Sequence, residues 1–217
     1  MRYDFGSDNT AGMAPAALQA LIDANHGYAR AYGADEVTGR AADLIRGRLD
    51  ADAEIRFVFS GTAANAISLA MLASPHEAVL AHHAAHICTD ETGAPGFFGH
   101  GVGLIGLPGF SGKIAPLALQ AHLDEAEVGH RQPPAALSLT QATEYGAVYT
   151  EEELRHLIEP VKIRGCGVHM DGARLANALA TTGEKIADVT WRAGVDALSF
   201  GFVKNGGLSA EALILFR

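Results

Sequence analysis

Cysteine is nearly missing: Cys88 and Cys166 are the only two among 217 residues. With no paired spacing, they supply neither a disulfide framework nor a thiolate zinc site, and the compartment reads as reducing and cytoplasmic. Positive charge is scarce as well. Sixteen Lys and Arg stand against 25 Asp and Glu, a formal charge of -9, which opposes broad attraction to phosphate backbones and anionic membranes; no nucleic-acid partner is expected. Long apolar runs are lacking, since no stretch approaches the roughly 18 residues of a bilayer span. The opening MRYDFGSDNTAG has no apolar core of an export signal, so the chain reads as neither exported nor inserted. Internal repeats, low-complexity tracts and linkers are also missing.

What remains is an ordinary globular composition, 48% hydrophobic and 19% charged, enough to bury the core of one domain or two. Seven short apolar runs recur along the chain: 55–59, 78–81, 102–107, 135–139, 166–170, 196–200 and 211–216. Their apolarity is nearly continuous rather than alternating, which suits strands covered on both faces. Between them lie helical patterns: TAANAISLAMLA, IAPLALQAHLDEAE and TEEELRHLIEPVKI, the last with Thr150 and Glu153 at capping-box spacing. The expected fold is α/β, a three-layer α/β/α sandwich around a mostly parallel sheet of about seven strands. Residues 1–50, with two further helices at PAALQALIDAN and about 35–49, read as an N-terminal arm, and residues 51–217 as the large domain.

Three features bear on chemistry. FSGTAAN, residues 59–65, places Gly61 and Thr62 between a strand and a helix, where backbone N–H groups and the positive helix end can hold a phosphate; a plain tight turn with Thr62 as cap is the ordinary alternative. Asp171, in VHMDGAR, ends a strand at the carboxyl edge where open parallel sheets bind ligands. Its ordinary alternative is a helix cap with Arg174 as a surface partner. Lys204, in SFGFVKNGG, follows another strand 33 residues later, about one β-α-β unit, so both side chains reach one edge. An anion cradle, a carboxylate and an amine at one edge match the phosphate, ring nitrogen and aldehyde of pyridoxal 5'-phosphate. Arg174, one turn beyond Asp171, suits the cofactor phosphate or a substrate carboxylate. His82, His83 and His86 would converge on a metal if their segment were helical, but no carboxylate stands at an established spacing, and no metal is expected.

In order along the chain, FGSDNTAG, HGYARAYGADEVT, FSGTAANAISLA, AHICTDETGAP, LTQATEYGAVY, HMDGARLANA and SFGFVKNGG resemble the low-specificity L-threonine aldolases of the aspartate aminotransferase superfamily. The resemblance implies a pyridoxal phosphate enzyme that cleaves threonine, allo-threonine or related β-hydroxy-α-amino acids to glycine and an aldehyde. It further implies Lys204 as the Schiff-base lysine, Asp171 as the partner of the ring nitrogen, His86 stacked on the ring, and Gly61 and Thr62 on the phosphate. Ser7 and Arg174 are then substrate-side groups, and Tyr32 reaches the site of a neighbouring subunit in a homodimer or homotetramer. The chain also departs from the pattern. Glu144 stands where some members carry a histidine, leaving the acceptor of the β-hydroxyl proton unassigned, and Val203 stands where a small hydroxyl residue is common. The C-terminal small domain of the family is absent from this chain. Two rival readings follow, another pyridoxal phosphate lyase acting by β-elimination and a non-catalytic cofactor-binding remnant.

Overall fold

The computed structural model describes residues 6–125 and 131–217. Among these residues the strands are β1 Ala53–Val58, β2 Ala78–His82, β3 Gly103–Leu107, β4 Gly109–Phe110, β5 Lys113–Ile114, β6 Pro134–Thr140, β7 Gly167–Gly172, β8 Ala197–Gly201 and β9 Glu211–Phe216. The helices are α1 Pro15–Ala24, α2 Glu36–Leu49, α3 Gly61–Leu72, α4 His86–Thr89, α5 Ala94–Phe98, α6 Pro116–Glu125, α7 Glu151–Ile163 and α8 Leu175–Thr182. The last two positions of the expected helix over 114–127 lie outside the described residues.

Seven strands make the main sheet in the order β1-β9-β8-β7-β6-β2-β3. From β3 to β8 every pairing is parallel. β9 runs antiparallel to both β8 and β1, so it alone points the other way. All seven expected runs are strands of this sheet. The hairpin β4–β5 was not foreseen.

Helices cover both faces. On one, α7 buries Leu154, Leu157, Ile158 and Val161, the i, i+3, i+4, i+7 stripe of an amphipathic helix, against Val168 and Met170 of β7. Each such side chain contributes roughly 2 kcal/mol by leaving water. The start of α7 is fixed as its sequence foretells: Glu153 N donates to Thr150 Oγ1, and Thr150 N donates to the Glu153 carboxylate. On the other face α3 packs on β7 and β8, with Leu69 joining Val79 and Ala81 of β2 in a second apolar cluster. α3 must approach the sheet closely, and it does so with small residues, burying Ala64, Asn65, Ala66 and Ser68. One polar member of that set, Asn65, becomes important at the crevice. Nearer the N-terminus, by contrast, α1 buries no residue.

Candidate active site

The carboxyl ends of β1, β6, β7 and β8 open onto one crevice, with His86 arriving after β2. They enclose a cavity of about 310 Å³ lined by Gly61, Thr62, Asn65, His86, Glu144, Asp171, Arg174, Lys204 and Glu211, among others. Open α/β sheets place ligands at this edge, and the volume is at the lower end for a small-molecule site.

At the end of β1 the chain turns through Ser60 into α3. Ser60 Oγ accepts from Ala63 N at 3.1 Å, and Ser60 O takes Ala64 N. Ser60, not Thr62, is therefore the cap. The amides of Gly61 and Thr62 have no partner among the described residues, and a Cβ added at Gly61 would meet no atom within 4 Å. This end of the cavity is a set of open N–H donors at a positive helix terminus, suited to a phosphate.

Asp171 sits in β7 between two parallel neighbours and is 6% exposed. One carboxylate oxygen accepts from Ala173 N at 3.0 Å, the other from Asn65 Nδ2 at 2.9 Å. It does not cap α8, whose N-cap is Arg174 with no side-chain cap bond. Asn65 uses its second amide hydrogen on Glu91 Oε1 at 2.7 Å. Reversing the Asn65 amide would set its oxygen against two carboxylates, so this orientation is compelled.

Glu91 Oε1 also receives His86 Nδ1 at 2.9 Å. A carboxylate only accepts, so Nδ1 carries the proton and Nε2 is the free position of the ring. The hydrogen bond to Glu91 raises the His86 pKa above its ordinary value against the opposing effect of burial; the charge of Asp171 adds to the rise and that of Lys204 subtracts from it. The His86 backbone N–H donates to Glu144 Oε1 at 2.8 Å, which Thr140 Oγ1 also reaches at 3.1 Å. Buried oxygens Asn65 Oδ1, Glu91 Oε2 and Glu144 Oε2 have no partner among the described residues.

Lys204 lies three residues past β8, in a 3-10 turn at Val203–Asn205. Its Nζ makes no hydrogen bond or ion pair among the described residues, but its charge lowers the pKa values of both Asp8 and His86. Arg174 is bound to Asp8, through Nε at 2.6 Å and a terminal nitrogen at 3.2 Å. For Asp8 burial acts upward, yet that pair, with Lys204, holds its carboxyl below the usual range.

Of the residues singled out from sequence, Lys204, Asp171, His86, Gly61, Thr62 and Arg174 share this cavity. Ser7 and Tyr32 do not line it. Ser7 caps the 3-10 turn at Asp8–Thr10, from which Asn9 reaches the cavity wall, and Tyr32 is fully exposed with a positive φ of 62°. Reasoning from sequence missed Asn65, Glu91, Asp8 and Glu211; the first three stood inside quoted stretches, FSGTAAN, AHICTDETGAP and FGSDNTAG.

The three histidines do not converge. His82 Nδ1 accepts from Ala84 N, His83 Nδ1 donates to Leu107 O, and His86 turns to Glu91. Instead His86, Glu91 and Asp171 offer ligand atoms within 4.8 Å of one another, so carboxylates do approach His86, one from five residues along its own segment and one from β7. Asn65 Nδ2 is bonded to both carboxylates and takes the role of their shared donor, which accounts for their closeness without a cation.

The chain matches the beta-eliminating lyase family over residues 4–217. It is 42% identical over 213 residues to a low specificity L-threonine aldolase of a Pseudomonas species and, equally, to one of Pseudomonas aeruginosa, covering 98% of this chain and 62% of each relative. A threonine aldolase structure from Leishmania major superposes with a TM-score of 0.92 at 33% identity, over 99% of this chain and 63% of that one. The chain thus spans a little over three fifths of the length of these relatives. With its whole described length aligned and its sheet edge intact, the chain belongs to the beta-eliminating lyase family.

Proposed function

We propose that this chain forms the cofactor-binding part of a pyridoxal phosphate-dependent L-threonine aldolase, an aldehyde-lyase converting L-threonine, L-allo-threonine or related β-hydroxy-α-amino acids to glycine and an aldehyde. The observation that carries the reading is one cavity holding open helix amides, a fixed carboxylate and an unpaired lysine amine. Its strongest outside support is the 42% identity to relatives named for that activity.

The residues fit the cofactor by donor type. Gly61 and Thr62 amides suit the phosphate. Asp171 has both oxygens anchored by N–H donors, and its remaining lone pairs can accept a ring N–H without the carboxylate having to reorient. Lys204 Nζ is the amine for the aldehyde. When bound, pyridoxal phosphate supplies the electron sink for the charge left at the substrate's α-carbon as its bond to the β-carbon breaks. The part of the chain is preorganisation. Asp171 is fixed so that its negative charge need not move during reaction, and Glu91 holds the His86 ring by Nδ1 so that Nε2 keeps one orientation. Arg174 can bind a substrate carboxylate only in competition with Asp8.

The same reading includes a homodimer or homotetramer in which Tyr32 serves a neighbouring site; its support is that Tyr32 lies outside its own chain's cavity and fully exposed. It also includes a cytoplasmic location, supported by two free cysteines. No helix among the described residues is long and apolar enough to cross a membrane.

The test is an absorption spectrum of the protein with pyridoxal phosphate before and after glycine, followed by product analysis with threonine. An amino-acid-responsive imine band with glycine and acetaldehyde as products supports the reading; a keto acid and ammonia would assign β-elimination, which the family also includes by name. Lys204→Ala is expected to abolish the borohydride-reducible attachment, and an adduct that persists in that variant would refute the assignment.

A further inference from the structure

Glu211 is a charged residue at the head of an otherwise apolar strand, EALILF, and it is 7% exposed. Its position follows from the one irregularity of the sheet. Because β9 runs antiparallel to β8, it brings its amino end to the crevice where the parallel strands bring their carboxyl ends, and Gly201 at the end of β8 pairs with Glu211. The carboxylate accepts from Phe202 N at 2.8 Å, beside Val203 N, which helps to hold its pKa down. These are the two residues directly before Lys204.

The turn is thereby held from two sides. Asn205 Nδ2 donates to Gly201 O at 3.0 Å and Ala173 O at 3.3 Å, tying the far end of the turn to β8 and to the loop after β7. Glu211 ties the near end. Removing a carboxylate from water is costly unless N–H groups or a cation receive it; here the Phe202 amide does, and the Lys204 charge lies within electrostatic range. Burial nonetheless raises the pKa of the carboxyl, so these partners compensate incompletely.

Resting on the proposed role of Lys204, we infer that Glu211 is a positioning residue: its carboxylate fixes the turn that presents the Lys204 amine to the cavity and so sets how readily that amine joins an aldehyde. Attachment forms a C=N bond between Lys204 Nζ and the aldehyde carbon and releases one water. Pyridoxamine phosphate shares the phosphate and ring but has no aldehyde, so its binding reports the pocket without the attachment step.

The experiment compares the 217-residue chain with Glu211→Ala and Glu211→Gln. Attachment of pyridoxal phosphate is followed by absorbance and located by borohydride reduction and peptide mapping; pyridoxamine phosphate affinity is measured by calorimetry. In Glu211→Ala, attachment is expected to slow about ten-fold, the scale of one lost charge-assisted hydrogen bond, while pyridoxamine phosphate affinity stays within about two-fold. Glu211→Gln keeps an acceptor oxygen for Phe202 N and is expected to recover much of the rate. Wild-type attachment rates in both variants would overturn the role of Glu211 alone, as would an equal loss of pyridoxamine phosphate affinity in both, which signals collapse of the pocket. No adduct on Lys204 in the unmodified chain would overturn this inference together with the reading beneath it.

Discussion

His169 lies one pleat below Asp171 in β7, fully buried. Its Nδ1 meets Ser138 Oγ of β6 at 2.9 Å and its Nε2 meets Ser199 Oγ of β8 at 2.9 Å. The ring therefore bridges the three central strands. A neutral imidazole offers one donor and one acceptor, and each serine hydroxyl can rotate to complement it. Burial disfavours the imidazolium and pushes the pKa from 6.5 to about 4, with the nearby charge of Asp171 acting the other way without prevailing. A histidine depressed in the folded state binds fewer protons there than in the unfolded chain. Its contribution to stability is complete above the unfolded pKa and is lost as pH falls through the window from 6.5 toward 4. Over that window the loss amounts to about 3 kcal/mol.

Urea unfolding followed from about pH 7 to about pH 4.5 should show this loss in the unmodified chain, and His169→Asn should flatten the slope while lowering stability at neutral pH by about 1–2 kcal/mol for imperfectly replaced hydrogen bonds. Comparing the two proteins matters because other groups titrate nearby. His82 is depressed by burial and by His83 and acts in the same direction. His86 is raised, so its contribution is present below the unfolded value and fades as pH rises through its folded value. Both are common to the two proteins and cancel in the difference. Equal pH slopes for wild type and variant would refute the idea that a neutral ring is held at the centre of the sheet.

Two further outcomes test the network above it. Asn65→Leu removes the one donor shared by two buried carboxylates, Glu91 and Asp171, and is expected to cost about 2–4 kcal/mol in urea unfolding at neutral pH; a loss below about 1 kcal/mol would mean that water replaces the amide. Glu91→Gln removes the largest cause of the raised His86 pKa, so the midpoint of the His86 ring proton titration by NMR should fall, and an unmoved midpoint would assign that rise to another group.

The sheet was legible because strands covered on both faces are mostly apolar, with their few polar residues paired inside the sheet; the seven apolar runs mark it to within about two residues. The capping box of α7 was equally plain, since Thr150 and Glu153 are its whole mechanism. The β4–β5 hairpin was invisible, with two-residue strands that carry no period. In the crevice, Asp171 and Lys204 could be placed together because β7 and β8 are consecutive strands joined in parallel. Asn65 could not, because nothing in GTAANAISLA distinguishes a helix residue aimed at the sheet from its neighbours until the small residues bring α3 onto β7. Glu91 follows the short α4, whose path no hydrophobic pattern fixes.

Strand direction is the deeper limit. EALILF reads as a buried strand whichever way it runs, and for a parallel strand its first residue would lie at the amino edge, opposite the crevice. Only the antiparallel pairing of Gly201 with Glu211 turns that acid toward Lys204. A single reversed strand thus supplies a second strand-borne carboxylate to a site where the parallel strand β7 supplies Asp171. It supplies it from a rigid ladder, with neighbours β1 and β8 fixing the strand on both sides. The chain from Phe202 to Asn205 is short, and its near end is tied to that ladder through Glu211 while Asn205 ties its far end to β8 and the loop after β7. The same logic governs Asp171, which sits within β7 and not on a loop, and whose carboxylate is held by an amide from α3. In both cases the reactive edge borrows rigidity from regular elements by hydrogen bonds to a buried acid.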